Sequence, residues 1–252
     1  LGNYNGTPSK LTTVLQGIKE KVSPETEVIY EKAVNFTNDT LLVYKDLKNL
    51  YSYEGKQGFK AEYYNNTTLS GQPEAVRTES EINNFWQEGE VVIQNIKANH
   101  FSARYTTNFT ADQDGSVTFE LKADDGYRFL INGKEVVNAW QKNRWGEKTF
   151  KLETKKNTVY KIVLEYWQGE GKAEVSLQTG NFVKTNFADL IERHKNADAF
   201  IFAGGISPQL EGEEMPVDFP GFKGGDRTSI LLPDVQTKLL KALQSSGKPV
   251  VF

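Results

Sequence analysis

Tyr127-Arg128-Phe129-Leu130-Ile131-Asn132-Gly133 is the stretch whose reading decides the fold. Large apolar side chains recur at every second position, the period of a half-buried strand, and Asn-Gly suits a tight hairpin because both residues tolerate left-handed backbone. The same pattern repeats outward from it. Phe101 to Thr106, Ser116 to Leu121 and Val159 to Tyr166 are further short runs of period two, with turn pairs at Asp114-Gly115 and Gln168-Gly169. From Gly58 to Leu177 the chain therefore reads as all-β with antiparallel hairpins. Trp86, Trp140, Trp145 and Trp167 all fall in this stretch, as expected where two sheets share a core that large side chains must fill.

On either side the period changes to that of a helix. Thr7-Pro8 followed by Leu11, Val14, Leu15, Ile18 and Val22 predicts a helix over 7–22, and Val28-Ile29-Tyr30 a short strand. Residues 35–55 are polar and less patterned. After about Gly180, Asn186 can cap a helix carrying Phe187, Leu190 and Ile191. Ala199 to Ala203 reads as a buried parallel strand, and Pro233 opens a helix with Val235, Leu239, Leu240 and Leu243 that stops at Gly247. Pro249-Val250-Val251-Phe252 is the next strand. This order implies a partial α/β domain, a parallel sheet with flanking helices, interrupted by an antiparallel β-sandwich or barrel. The expected boundaries are 1–56 and 181–252 for the two α/β parts and 57–180 for the insertion.

Composition excludes several functions. The 252 residues carry 30 basic and 33 acidic side chains, a net charge of −3 spread along the chain, so no basic face recommends nucleic acid or an anionic membrane as a partner. The absence of cysteine removes disulfides, thiolate metal sites and a cysteine nucleophile. No run approaches the roughly 20 apolar residues needed to span a bilayer. A start at Leu1 and an end at Val250-Val251-Phe252, in the middle of an expected strand, suggest a piece of a longer protein.

Chemistry is expected in the loop from Gly204 to Met215, which places Glu211, Glu213 and Glu214 after the strand Ala199 to Ala203. In open α/β sheets the carboxyl ends of strands are where ligands sit. Crowded carboxylates raise one another's pKa, as a proton donor requires, although a solvated acidic loop is the plainer reading of the same residues.

Two resemblances cover almost the whole chain. Leu1-Gly2-Asn3-Tyr4-Asn5-Gly6-Thr7-Pro8, together with Glu211-Gly212-Glu213, Asp226-Arg227, Leu232-Pro233 and Gln236, resembles the C-terminal α/β domain of glycoside hydrolase family 3. Gly58 to Tyr64, Phe101 to Tyr105, Asp124 to Gly133 and Leu164-Glu165-Tyr166 resemble the β-sandwich module first named from anthrax protective antigen, the PA-14 domain. Some family 3 β-glucosidases carry that module inserted in that domain, so the two resemblances support each other.

The first resemblance implies an exported, exo-acting retaining β-glycosidase of the β-glucosidase or β-xylosidase type, acting on an oligosaccharide or β-glycoside without a cofactor. Such enzymes use two carboxyl groups roughly 5 Å apart. In the family the acid/base glutamate comes from this loop, whereas the nucleophile comes from a barrel domain of the same parent chain, so the 252 residues alone should be inactive. Motif position places the acid/base at Glu213. The insertion of Pro216 to Gly225 before Asp226-Arg227 departs from the common pattern and keeps Glu211 and Glu214 as alternatives. Asp226-Arg227 reads as a structural ion pair.

The second resemblance implies a module that restricts substrate length or, alternatively, binds carbohydrate itself as an adhesion module does. Asp124-Asp125-Gly126 resembles the paired aspartates that bind calcium and sugar in yeast adhesins, yet two aspartates supply only part of the six to eight oxygens calcium takes, and a tight turn is the simpler reading. Asp112-Gln113-Asp114-Gly115 likewise reads as a hairpin turn. Trp140 and Trp145 flank the polar stretch Gln141 to Arg144 and are candidates to stack on a sugar. His100 and His194 suggest neither a triad nor a zinc site.

Overall fold

The computed structural model describes residues 9–47, 49–91, 93–141, 146–208, 210–212 and 217–252. It divides into two units, Leu42–Phe182 and a second assembled from Leu1–Leu41 and Val183–Phe252.

Among the described residues the larger unit is built from thirteen strands: β1 (Thr40–Tyr44), β2 (Tyr51–Tyr53), β3 (Lys56–Gln57), β4 (Phe59–Tyr64), β5 (Ala75–Glu79), β6 (Asn83–Trp86), β7 (Phe101–Thr110), β8 (Gly115–Asp124), β9 (Gly126–Ile131), β10 (Lys134–Asn138), β11 (Gly146–Thr154), β12 (Val159–Gln168) and β13 (Ala173–Lys184). One sheet runs β1-β13-β8-β11, with β6 also on β13. The other runs β10-β9-β12-β7-β2-β3, with β4 also on β7 and β5 on β4. The hairpins form where the turn residues direct. Asn132 and Gly133 both take positive φ between β9 and β10, and Gly115, at φ 113°, opens β8. Alternation along each strand sends one set of side chains inward, so Phe101, Ala103, Tyr105 and Phe109 of β7 are buried, as are Phe119 and Leu121 of β8. Aromatic pairs then join the two sheets. Phe109 meets Phe119 with ring centres 5.3 Å apart and planes at 78°, and Trp86 meets Phe101 at 6.0 Å and 87°, the edge-to-face geometry that ring quadrupoles favour.

Two strands lie where none was expected. Residues 35–55 contain β1 and β2, because β1 finds an edge partner in β13 and β2 pairs with β7 through Tyr51↔Phe109 and Ser52↔Asn108. By contact the larger unit takes in this segment from Leu42 onward.

Among the described residues the smaller unit holds α1 (Val14–Lys21), α2 (Phe187–Arg193), α3 (Asp234–Ser245) and five two-residue strands: β14 (Phe200–Ile201), β15 (Asp218–Phe219), β16 (Phe222–Lys223), β17 (Asp226–Arg227) and β18 (Val250–Val251). Caps explain the helix ends. Thr13 accepts from the Gln16 amide, Asn186 accepts from the amides of Ala188 and Asp189, and Gly247 at φ 76° follows α3. The helix expected over 7–22 is shorter, beginning only after Thr13. Leu190, Leu239 and Leu243 form the buried core of this unit, with Ala33, Val34, Phe200 and Val250 packed on it.

Two expectations need correction here. Val28-Ile29-Tyr30 forms no strand and exposes Ile29 and Tyr30, since no ladder partner lies beside it among the described residues. The strand within Ala199–Ala203 is only Phe200–Ile201 and is not buried. It pairs in parallel with β18 alone, Phe200↔Val250 and Ile201↔Val251, and a two-strand ladder leaves Ile201 55% exposed. Among the described residues parallel pairing is thus limited to these four, and the architecture is predominantly antiparallel β-sandwich with few helices.

Candidate functional sites

Each unit carries one candidate site. In the smaller unit it is the loop that leaves β14. Gly204 allows that exit, since a Cβ there would stand 2.6 Å from the Phe202 ring. Phe202 itself stacks on Phe252 with ring centres 5.5 Å apart. Gly205, at φ 118°, is then held by Gln236, a first-turn residue of α3 only 1% exposed. Its Oε1 accepts from Gly205 N at 2.8 Å, while its Nε2 donates to Gly205 O at 2.5 Å and to Phe36 O at 2.8 Å. Every polar atom of that buried amide is used. Beyond it, Leu210 packs with Val217 and Phe222 in a small cluster. Glu211 is exposed, with its amide donating to Ser207 O, and Gly212 N donates to Gly225 O at 3.1 Å. Glu213 and Glu214, the other two carboxylates read from the motif, lie outside the described residues.

A cleft of about 340 Å3 opens beside Gly205, Ile206, Arg227 and residues 229–232. Arg227 does not form the ion pair with Asp226 that the sequence suggested. Neighbours in a strand point to opposite faces, and the Arg227 guanidinium donates instead to the carbonyls of Ser229 and Leu231 while lying 4.7 Å over the Phe222 ring. This brace supports a turn whose Ile230 is 100% exposed.

In the larger unit the candidate site is the end of the sandwich around Asp124-Asp125. Asp125 is buried, and its Oδ2 accepts from Gly169 N at 2.7 Å, tying the β8–β9 connection to the β12–β13 connection. Burial, then the charges of Asp125 and Glu174, raise the pKa of Asp124. The Tyr166 hydroxyl shares its one hydrogen between Asp124 O and Gln168 Oε1, both within hydrogen-bond reach, and burial ahead of the two aspartate charges pushes its pKa well up. His100 Nε2 lies 3.3 Å from Glu170 at the rim. Among the described residues no group of three or more His, Cys, Asp or Glu side chains is placed to hold a metal ion.

Of the tryptophans, Trp86 is buried and Trp140 and Trp167 are half-buried, while Trp145 lies outside the described residues. Trp140 does not stand alone as a sugar platform. The Arg128 guanidinium lies 4.7 Å from its ring centre, and its carbonyl accepts from Trp167 Nε1 at 2.8 Å. Beneath them Glu165 of β12, with 7% of its side chain exposed, pairs with Arg104 of β7 at 2.7 Å and with Arg128 of β9. Burial opposes the charge of Arg104, but its hydrogen bond and ion pair with Glu165 outweigh that cost and raise its pKa. Neither this group nor the Gln236 clasp was assigned a role from the sequence. Their members lie on separate strands or loops, and only the conjunction Arg104, Glu165 and Arg128 within otherwise alternating strands could have pointed to the first.

Comparison with known proteins agrees with this architecture. The model of the PA14 domain matches residues 55–182. A xylan 1,4-beta-xylosidase of Xylanibacter ruminicola is 34% identical over 262 aligned residues, which take in all of this chain and 29% of that protein. The anti-sigma-I factor RsgI3 of Acetivibrio thermocellus is 28% identical over 120 residues, 48% of this chain and 18% of that one. The chain thus spans less than a third of the length of either. A crystal structure of a beta-glucosidase from Kluyveromyces marxianus in complex with glucose superposes with a TM-score of 0.51 at 18% identity, over 84% of this chain and 26% of that one. The matched residues take in the strands of the larger unit from β4 to β12 and nearly all of β13, and the chain belongs to the PA14 domain family.

Proposed function

We propose that this chain works within a longer, exported, exo-acting retaining β-glycosidase of the β-xylosidase or β-glucosidase type. The observation that carries the reading is identity extending over the whole chain, flanking segments included, to a xylan 1,4-beta-xylosidase. On this reading the two flanking segments are halves of one interrupted α/β domain, and the loop that Gln236 roots at Gly205 delivers the general acid/base. Glu213 takes that role by motif position, with Glu211 and Glu214 as alternatives.

The acid protonates the leaving oxygen as a nucleophile from the parent's barrel domain attacks the anomeric carbon, and its conjugate base then deprotonates the water that releases the sugar. A rooted loop matters because proton transfer depends on hydrogen-bond reach in the transition state. The β-sandwich restricts how much of an oligosaccharide reaches the site.

The test uses the longer parent chain, comparing wild type with Glu213→Ala on an aryl β-glycoside whose leaving group needs little protonation, with and without azide. Loss of an acid/base spares glycosyl-enzyme formation, and azide restores turnover as a glycosyl azide of retained configuration. Wild-type behaviour of Glu213→Ala moves the role to Glu211 or Glu214. The same variants at all three positions with undiminished rate would remove the loop from catalysis.

A second reading, a carbohydrate-binding module, is favoured by the clustered and partly buried carboxylates Asp124 and Asp125 at one end of the sandwich. A calcium-dependent glycan affinity that Asp125→Ala abolishes would select it.

A further inference from the structure

We propose that the outer face of the eight-stranded sheet holds a second carbohydrate subsite, in which Arg128 and Arg104 receive the carboxylate of a uronic acid residue beside Trp140 and Trp167. The inference rests on the reading of this chain as part of a protein that handles oligosaccharides, and goes beyond it by naming an acidic sugar and the residues that select it.

The register brings the group together. Arg128 of β9 stands opposite Glu165 of β12, which stands opposite Arg104 of β7, which stands opposite Glu62 of β4. Gly126 and Trp167 pair two residues along, so they share that face of the sheet. Lacking a side chain, Gly126 leaves the space Trp167 occupies, since a Cβ there would stand 2.0 Å from the indole nitrogen.

Charge bookkeeping favours an anion. Glu165 offers one oxygen to the Nε of each arginine, and Glu62 is taken by Lys60 at 2.8 Å. Arg104 and Arg128 share the single carboxylate of Glu165, while Glu62 and the charge of Glu54 act on Lys60, and Glu135 accepts from Asn138 opposite Arg128. Glu165 is nearly buried, whereas about a third of each arginine side chain remains exposed, 33% for Arg104 and 36% for Arg128. The carboxylate anchors the guanidinium groups from below by their Nε edges, and among the described residues the terminal nitrogens are the donors left to meet a ligand. Arg104 directs one of its own, Nη1, to the Tyr64 hydroxyl at 3.4 Å, a long contact that a better acceptor would displace.

The geometry is set before binding. Arg128 is held on one side by Glu165 and on the other by the Trp140 ring. Trp140 in turn is fixed by Asn138 Oδ1 accepting its amide at 2.9 Å and by Trp167 donating to its carbonyl. Side chains already locked lose little freedom when a ligand arrives. A planar guanidinium fork matches the two oxygens of a carboxylate, and the neighbouring indoles suit the C–H face of a pyranose. A hexuronic acid presents both features in one ring.

The experiment titrates the full 252-residue chain with methyl β-D-glucopyranosiduronate, its uronamide and methyl β-D-glucopyranoside, following indole and arginine Nε resonances by NMR. Saturable shifts at Trp140, Trp167, Arg104 and Arg128 are expected with the uronate, with affinity about tenfold above the uronamide because the charge-assisted contact is lost in the amide. Arg128→Lys keeps the charge but not the fork and should lose most of that preference; Arg128→Gln should lose all of it. The wild-type contrast of uronate with uronamide needs no variant and stands if a variant fails to fold.

Equal affinity for uronate and uronamide, or shifts confined to other residues, overturns the proposal. So does an aspartate-containing tetrapeptide that binds as tightly as the uronate, which would make the face a general carboxylate site. The azide experiment on the parent enzyme is independent of Arg128, so failure here with rescue intact overturns this subsite alone.

Discussion

Gln236 and Gly205 clasp one another in both directions: the Gly205 amide donates to Gln236 Oε1 at 2.8 Å, and Gln236 Nε2 donates back to the Gly205 carbonyl at 2.5 Å. The clasp fixes the first residues of the glutamate loop to α3 through the buried Gln236, with Gly205 itself half-buried. Gln236→Leu strands the Gly205 amide and carbonyl without partners, and should cost about 1–3 kcal/mol locally. Hydrogen exchange at the Gly205 amide is the direct readout, and protection equal to wild type would show that the clasp does not hold the loop.

Glu165 should be the most sensitive charged residue of the sandwich. Replacing it by Gln leaves two arginines without their shared counter-ion. Because the arginines are partly solvated, the expected loss is about 2 kcal/mol rather than the larger cost of a fully buried pair. Urea unfolding of the chain, followed by tryptophan fluorescence, measures it. A change under about 0.5 kcal/mol, the range of ordinary surface substitutions, would contradict the arrangement.

Gly126→Ala should be disruptive although the substitution is small. The added methyl would fall 2.0 Å from Trp167 Nε1 and 2.6 Å from Trp140 O, so the hydrogen bond between those two groups must break. Forced repacking of this kind costs roughly 1–3 kcal/mol. Separation of the indole from its acceptor should also shift the Trp167 Nε1–H resonance, and an unmoved resonance in a stably folded variant would refute the contact.

Acid should loosen the smaller unit at Glu31. Its carboxylate receives Arg193 at 2.6 Å and contacts His194 Nε2 at 2.5 Å. Burial works to raise its pKa, but the hydrogen bonds and charges of His194 and Arg193 prevail and set it below 4.5. A folded-state pKa depressed in this way contributes stability above the unfolded value, and that contribution disappears as pH falls through the folded one. Glu31→Gln should therefore weaken α2 docking at neutral pH and match wild type at an acid pH that protonates the folded-state carboxylate. Amide exchange in α2 at the two pH values checks the sign; an equal deficit at both would mean that charge is not the cause.

Much of the sandwich was present in the sequence because hairpins are local. Asn132-Gly133 and the alternation of Tyr127, Phe129 and Ile131 specify β9 and its turn within a dozen residues, and Asn186 caps α2 by reaching amides two and three positions on. Resemblance carried the family, since spaced motifs survive where contacts cannot be read. The candidate glutamates were visible only as a crowded motif, and periodicity says nothing of what roots such a loop.

Tertiary structure decided the rest through partners distant in sequence. Thr40 to Tyr44 is a strand because β13, more than a hundred residues later, offers an edge, whereas the equally apolar Val28 to Tyr30 forms none. Glu165 is a surface residue by alternation until register sets it between Arg104 and Arg128. Local sequence determined which segments extend, turn and cap, since those energies lie within a few residues. The fold alone decided which extended segments pair and which charges are buried together, because ladder hydrogen bonds and desolvation depend on neighbours that only the closed sheets supply.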